Sequence, residues 1–297
     1  MAEPAGLNHS FGDGLTITRM TTPLVSLLTD FGLADPSVAA CKGVIWRIAP
    51  EARLLDVSHG VARYSIAQGA ALLWAALPHL PAGIHMAVVD PGVGTERRPI
   101  VLRTGRGDHL VGPDNGLLIP AAEQLGGIVS AHVLENPKYR LAPVSRTFHA
   151  RDIFAPAAGH LAAGVRVDAF GPAIAIDSLV RLDMPEPTSE GGVLETTVVL
   201  VDSFGTVQLL AETCDLEAAI GPVAGGDALR IEAVDGGKLG DGDAIEASWR
   251  LTYAEAEEGE PLVFLDSYGR LAVAVNLASA ARKFGLAPDR RLRISRR

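Results

Sequence analysis

The densest chemistry in the chain is Asp90-Pro91-Gly92-Val93-Gly94-Thr95-Glu96-Arg97. Two glycines and a proline force a tight, exposed loop after an apolar run, bringing a carboxylate and a guanidinium to one crevice. Asp-Pro-Gly alone is also an ordinary turn. The second group is Phe148-His149-Ala150-Arg151-Asp152, ahead of an apolar helical stretch. His149 is of the type that moves protons near neutrality, although a lone histidine fits a satisfied core position as well. Asp152 also suits a helix start. Further acidic residues close other apolar runs: Asp30, Asp35, Asp56 with His59, and Asp202. Such a set raises a divalent-metal site, but no His-x-x-x-His or paired-Asp spacing accompanies it, so no metal is expected. No Gly-x-Gly-x-x-Gly follows a strand, and neither a phosphate loop nor a Gly-x-Ser-x-Gly elbow occurs. Pro113-Asp114-Asn115-Gly116 reads as a structural turn. The residues alone define an acidic crevice with an Asp/Arg/His set and stop short of a substrate.

Elements must position that set. Leu24–Leu28, Leu54–Val57 and Ile84–Val89 read as buried strands, the last running straight into Asp90. Between them, Pro36–Ala49 and Ile66–Leu77 carry helical spacing, with Val38, Cys41, Ile45 and Ile48 on one face. Strand and helix in alternation predict a mostly parallel sheet flanked by helices, with ligands beyond the carboxyl ends of the strands. Asp30 and Asp90 both fall there. From Met184 to Gly192 the composition is that of a linker. Beyond it, Val193–Val201, Thr206–Leu209, Ala228–Val234, Ala244–Leu251, Leu262–Leu265 and Leu271–Val275 predict a small antiparallel β-barrel. The fold class expected is therefore α/β followed by a β-barrel. The expected divisions are an extension over 1–22, an α/β domain over 23–183, a linker over 184–192 and a barrel domain over 193–297. The extension reads as disordered, and Met20 is a second possible start.

Of 297 residues, 48 % are hydrophobic and 21 % charged, enough apolar material for a well-filled core. The net charge of −9 disfavours nucleic acid and anionic membrane as partners and suits a cationic small molecule. Neither an apolar run long enough to cross a membrane nor a signal-peptide pattern is present. Cys41 and Cys214 lie in no ligand spacing and are expected to be reduced and buried, as in a cytoplasmic protein.

Seven motifs in order resemble the SAM hydroxide adenosyltransferase family, hydrolases of S-adenosylmethionine (SAM) related to the bacterial fluorinase and chlorinase. They are Leu28-Thr29-Asp30-Phe31-Gly32, Asp56-Val57-Ser58-His59, Val88-Val89-Asp90-Pro91-Gly92-Val93-Gly94, Pro113-Asp114-Asn115-Gly116, Thr147-Phe148-His149-Ala150-Arg151-Asp152, Asp202-Ser203-Phe204-Gly205 and Ser267-Tyr268-Gly269. The resemblance spans Leu24 to Arg293 and implies hydrolysis of SAM to adenosine and methionine without a cofactor. It implies Asp90, Arg97 and His149 as the hydrolytic triad around a water that attacks the ribose 5′ carbon. Asp30 would bind the ribose hydroxyls, and Asp35, Ser37 and Asp202 the methionine ammonium. Ser267 and the Tyr268 backbone would take the carboxylate, with Tyr64 and Phe148 walling the ribose and sulfonium.

Adenine would lie near Phe204 and Leu277. Thr206 and Leu210 stand where the family usually has asparagines, so the purine contacts differ here. The fluorinase has Tyr at position 90 and Ser at position 150, against Asp90 and Ala150 in this chain. Halide use is therefore disfavoured. A non-catalytic SAM or nucleoside binder is the alternative from another class. The family also implies a homotrimer with each site between two subunits.

Overall fold

The computed structural model describes residues 22–183 and 185–297; the predicted extension thus lies, all but Thr22, outside the described residues. Two sheets organise the chain. The first contains β1 (Leu24–Thr29), β2 (Arg53–Ser58), β3 (Ile84–Val88), β4 (Pro99–Thr104), β5 (His109–Pro113) and β6 (Ile128–Val133), in the order β2-β1-β3-β5-β4-β6. Pairs β1–β2, β1–β3 and β3–β5 are parallel, whereas β4 runs antiparallel to β5 and β6.

Both faces of this sheet are covered, which is why β1 and β3 are buried along their whole length and read as mainly apolar runs, broken by Ser26 and His85. Alternate residues serve opposite cores. Leu27, Met86 and Val88 face α1 (Ser37–Ile48) and α4 (Ala155–Ala162). Leu28, Ala87 and Val89 face α2 (Ile66–Ala76) and α3 (Ile119–Gln124). The chain passes from β1 to β2 on one side and returns to β3 on the other. The crevice between β1 and β3 is therefore a topological switch point, open at the carboxyl ends of the strands. Thr29 pairs with Val88, so Asp30 and Asp90 leave adjacent strands at the same end.

The second sheet closes on itself. Its strands are β8 (Val193–Val201), β9 (Val207–Leu209), β10 (Ala228–Ala233), β11 (Ala244–Trp249), β12 (Pro261–Leu265), β13 (Leu271–Val275) and β14 (Arg291–Arg296). They run in the order β14-β10-β11-β12-β13-β9-β8, and pairing of β14 with β8 completes the barrel. A short β7 (Thr188–Glu190) adds to the start of β8. All seven contacts are antiparallel except β11–β12, which is parallel. Parallel neighbours cannot be joined by a hairpin, and here residues 250–260 make the longer connection. The helix α5 (Thr213–Ile220) turns Leu216 into the barrel core and leaves Cys214 exposed, contrary to the expectation that both cysteines are buried. Cys41 is buried on α1, and burial pushes its thiol up to about 12. No helix among the described residues is long and apolar enough to cross a membrane.

At the opposite end of the first sheet from the Asp30–Asp90 crevice lies a buried polar cluster. His85, on β3, sits between Ser26 Oγ (2.7 Å from Nδ1) and Asp108 Oδ1 (3.0 Å from Nε2), and the ring is fully buried. Arg106 and the Thr104 hydroxyl donate to the same carboxylate. Burial alone would raise the Asp108 acid, but hydrogen bonds from His85 and Arg106 and the Arg106 charge outweigh it and hold the carboxyl well below its ordinary range. A depressed folded-state value means that the stabilisation is complete above about pH 4 and is lost on further acidification. We therefore expect Asp108→Asn to lower stability at pH 7 by about 3–5 kcal/mol, because His85 and Arg106 lose a buried partner. The same variant should lose less stability between pH 5 and 3 than the parent, measured by denaturant unfolding across pH. Equal acid sensitivity in the two proteins would remove Asp108 from that account.

Candidate active site

The loop after β3 is built to present Asp90 to a cleft. Val93 N donates to the Asp90 carbonyl (3.3 Å) and Thr95 N to the Gly92 carbonyl (3.2 Å), while the Thr95 hydroxyl accepts from Arg97 N (3.3 Å). These turns fold the loop back so that Arg97 faces the residue seven positions earlier. Gly94 has φ +80°, and a Cβ there would lie 2.6 Å from the Arg146 carbonyl. Only glycine combines that backbone with so close an approach to the second loop. Behind Asp90, the Asn115 side-chain amide donates to the Val89 carbonyl at 2.8 Å. Asp114 accepts from Arg98 Nε (2.8 Å) and Val180 N (3.0 Å). The Pro113–Gly116 turn therefore anchors the end of β3.

Arg97 grips Asp90 with two parallel hydrogen bonds, Nε to Oδ1 at 3.1 Å and Nη2 to Oδ2. Both side chains are more than nine-tenths buried. The same Nη2 lies 3.2 Å from His149 Nδ1. A guanidinium only donates, so Nδ1 accepts and the neutral ring carries its proton on Nε2. Burial, followed by the Arg97 charge, lowers the His149 acid below its ordinary value, so the neutral ring prevails at pH 7. The Arg97 guanidinium carbon is 5.3 Å from the centroid of Phe154, which is fully buried. His149 and Phe154 are joined by a π-helical turn over Ala150–Phe154. In such a turn the fifth residue along returns beneath the first, whereas α-helical spacing carries it to the far side. One guanidinium can therefore touch both.

Asp90 and His149 line a cleft of about 360 Å³. Asp30, Asp35, Ser37, Tyr64 and Phe148 line it too, together with Phe31, Arg63, Val88, Val93, Thr147 and Ala150. Asp30 Oδ2 accepts from Tyr64 N at 2.9 Å, and Tyr64 has φ +67°. Asp35 accepts from Ser37 N at 2.8 Å, and hydrogen bonds from Ser37 hold its carboxyl below the ordinary range. Phe148 is clamped edge-on by Phe31, with ring centroids 6.0 Å apart, and by the Arg151 guanidinium 5.1 Å from its centroid. Arg151 is in turn held by both oxygens of buried Asp152. Asp152 thus braces a cleft wall, and its Oδ2 also accepts from Ser145 N at 2.8 Å; it makes no side-chain cap bond at the helix start. Arg63 was not singled out from the sequence; it adjoins Tyr64, which was.

The remaining predicted residues lie elsewhere. Asp202, Phe204, Thr206, Ser267, Tyr268 and Leu277 are on barrel loops and do not line this cleft. Asp202 Oδ1 accepts from Phe204 N (2.9 Å) and Thr206 N (2.8 Å), shaping the β8–β9 turn. Phe204 and Leu277 are each 82 % exposed. The Ser267–Tyr268 turn docks against α2: the Arg270 guanidinium lies 4.0 Å over the Trp74 ring. Among the described residues, no group of three or more His, Cys, Asp or Glu side chains could hold a metal ion.

The chain matches known proteins over most of its length. The family model for the SAM hydroxide adenosyltransferase N-terminal domain matches residues 25–171, and that for the C-terminal domain matches residues 196–293. The chain is 45 % identical over 274 residues to the (R)-S-adenosyl-L-methionine hydrolase of Salinispora tropica, covering 92 % of this chain and 98 % of the relative. It is 38 % identical to the hydrolase of the same name from Thermus thermophilus, covering 88 % and 95 %. A crystal structure of an uncharacterized conserved protein from Thermotoga maritima superposes with a TM-score of 0.83 at 31 % identity, over 92 % of this chain and all of that one. The chain belongs to the SAM hydroxide adenosyltransferase family.

Proposed function

We propose that this protein is an enzyme that hydrolyses SAM, of R configuration at sulfur as in the names of its relatives, to adenosine and L-methionine. One observation carries the reading: Asp90 and His149, drawn from two loops, line one cleft, and buried Arg97 bonds to both from behind. The sulfonium is already a good leaving group, so the reaction needs an aligned nucleophile more than strong acid catalysis. A water in the cleft donates a hydrogen bond to Asp90 and accepts one from His149 Nε2–H. Both contacts leave an oxygen lone pair aimed at the ribose 5′ carbon, opposite the sulfur. The new carbon–oxygen bond forms as the carbon–sulfur bond breaks. Its electron pair goes to sulfur, giving the neutral thioether of methionine, and the water proton passes to Asp90. Arg97 fixes the carboxylate by its two-pronged grip, a geometry that lysine cannot reproduce.

Asp30 binds the ribose hydroxyls, Asp35 and Ser37 the methionine ammonium, and Tyr64 and Phe148 flank the sulfonium. Asp202, Ser267 and the Tyr268 backbone complete the methionine site, and Phe204, Thr206 and Leu277 the adenine site. Because these barrel residues lie outside the cleft of their own chain, we also propose that a neighbouring copy supplies them in a homotrimer. The exposed Phe204 and Leu277 side chains support that arrangement. The proposed chemistry uses no metal or cofactor, and the proposed setting is the cytoplasm.

Incubation of purified protein with SAM, followed by chromatographic separation, should yield adenosine and methionine in equal amounts at a rate indifferent to EDTA. Binding without turnover would favour a SAM-binding protein instead, and 5′-halo-adenosine formed with added halide would favour halogenation. Asp90→Ala should reduce turnover by about 10²–10⁴ and leave SAM affinity within a few-fold, as expected for loss of a proton acceptor. Unchanged turnover in that variant would falsify its role.

Because neutral His149 is the working form and its acid lies below the usual 6.5, kcat/KM should remain level as pH falls through 6.5 and decline only below it. A decline centred above pH 6.5 would contradict that assignment. Mixing unfolded Asp90→Ala and Asp202→Ala chains and refolding them together should restore part of the activity, since some sites would then draw both intact residues from different copies. No recovery in mixed trimers would count against shared sites.

A further inference from the structure

The Asp56–His59 pair is the motif that the proposed chemistry leaves unused. His59 is buried, only 6 % exposed, and it touches both ends of the turn that carries Asp30. Its ring Nδ1 lies 2.8 Å from Thr29 Oγ1, just before Asp30. Its main-chain carbonyl accepts from Gly32 N at 2.8 Å, just after it. Phe31 N donates to Thr29 Oγ1 at 3.3 Å, so the hydroxyl hydrogen is free to point at Nδ1. Nε2–H then faces Asp56 Oδ1 at 3.0 Å, somewhat off the hydrogen-bond line, and Asp56 Oδ2 accepts from Lys42 Nζ at 2.7 Å. A polar chain from Lys42 on α1, through Asp56 on β2 and His59, ends at the hydroxyl of the last residue of β1.

Four residues, Thr29 to Gly32, therefore hang from one histidine at both ends, and they present Asp30 and Phe31 to the cleft, Asp30 being the charged one. A carboxylate that must meet two vicinal hydroxyls at once tolerates little rotation, because both of its oxygens need simultaneous alignment. The Tyr64 N–H fixes one of those oxygens but not the strand end behind it. We infer that His59 is a positioning residue for Asp30: it sets the turn so that the carboxylate engages both ribose hydroxyls of the substrate. This inference rests on the reading of Asp30 as the ribose ligand, and the experiment separates the two.

The measurement is the affinity ratio for adenosine over 2′,3′-dideoxyadenosine by calorimetry, with KM and kcat for SAM alongside. His59→Ala, and Thr29→Val as an isosteric change from the other side, should each reduce that ratio on the order of tenfold and raise KM more than they lower kcat. His59→Asn, whose amide oxygen can still accept from the Thr29 hydroxyl, should recover part of the ratio. Asp30→Ala should abolish the ratio, and adding His59→Ala to it should change nothing further. An unaltered ratio in folded Thr29→Val and His59→Ala, beside a lost one in Asp30→Ala, overturns the positioning role alone. A ratio that survives Asp30→Ala overturns the ribose reading itself, and the inference with it.

Discussion

A single buried guanidinium organises the cleft. Arg97 spends Nε and Nη2 on the Asp90 carboxylate, shares Nη2 with His149, and rests its plane near the Phe154 ring. Two consequences follow from the fact that it can only donate. The carboxylate is fixed in plane as well as in position, and the histidine is forced into one tautomer. A positive charge at this depth is tolerable because its counter-ion is equally buried and bonded to it at two points.

The rest of the first sheet serves that contact. Adjacent parallel strands deliver Asp30 and Asp90 to the same end, since Thr29 and Val88 are paired. Asn115 holds the Val89 carbonyl from behind, and Gly94 lets the Asp90 loop press against the backbone of the loop that brings His149. The π-helical turn then returns Phe154 beneath the histidine. The stiff end of the sheet is the opposite one, where Ser26, His85 and Asp108 tie β1, β3 and the start of β5 together. Rigidity at one end leaves the other open without loosening the strands between.

Much of this was legible in the sequence, for identifiable reasons. Strands β1 and β3 announce themselves because burial on both faces leaves no polar residue to interrupt Leu24–Leu28 except Ser26, which itself has a buried partner. The Asp-Pro-Gly loop was readable because glycine and proline are required by its backbone rather than by packing. Other features had no local signature. Strand β14 alternates Arg291, Leu292, Arg293, Ile294 as an outward–inward pattern, but its charged face depends on Glu195, almost a hundred residues earlier. The buried role of His85 is set by Ser26 and Asp108, neither of which neighbours it in sequence. Cys214 was expected inside because free cysteines are usually buried, yet the face it occupies on α5 is decided by where Leu216 must go. The parallel β11–β12 pair likewise reflects the path of a connection, to which strand periodicity is blind.

The shared use of Arg97 also bears on how such a sequence can drift. Because one nitrogen serves both an aspartate and a histidine, a substitution at position 97 disconnects two partners in a single mutational step, and no change at position 90 or 149 alone restores them. Loss of His149 alone would leave the carboxylate gripped, and loss of Asp90 alone would leave the imidazole bonded, whereas loss of Arg97 releases both. Position 97 is therefore the one of the three whose change cannot be confined to a single contact. Lineages that change residue 97 are expected to change its two partners with it, while changes at 90 or 149 can arise one at a time.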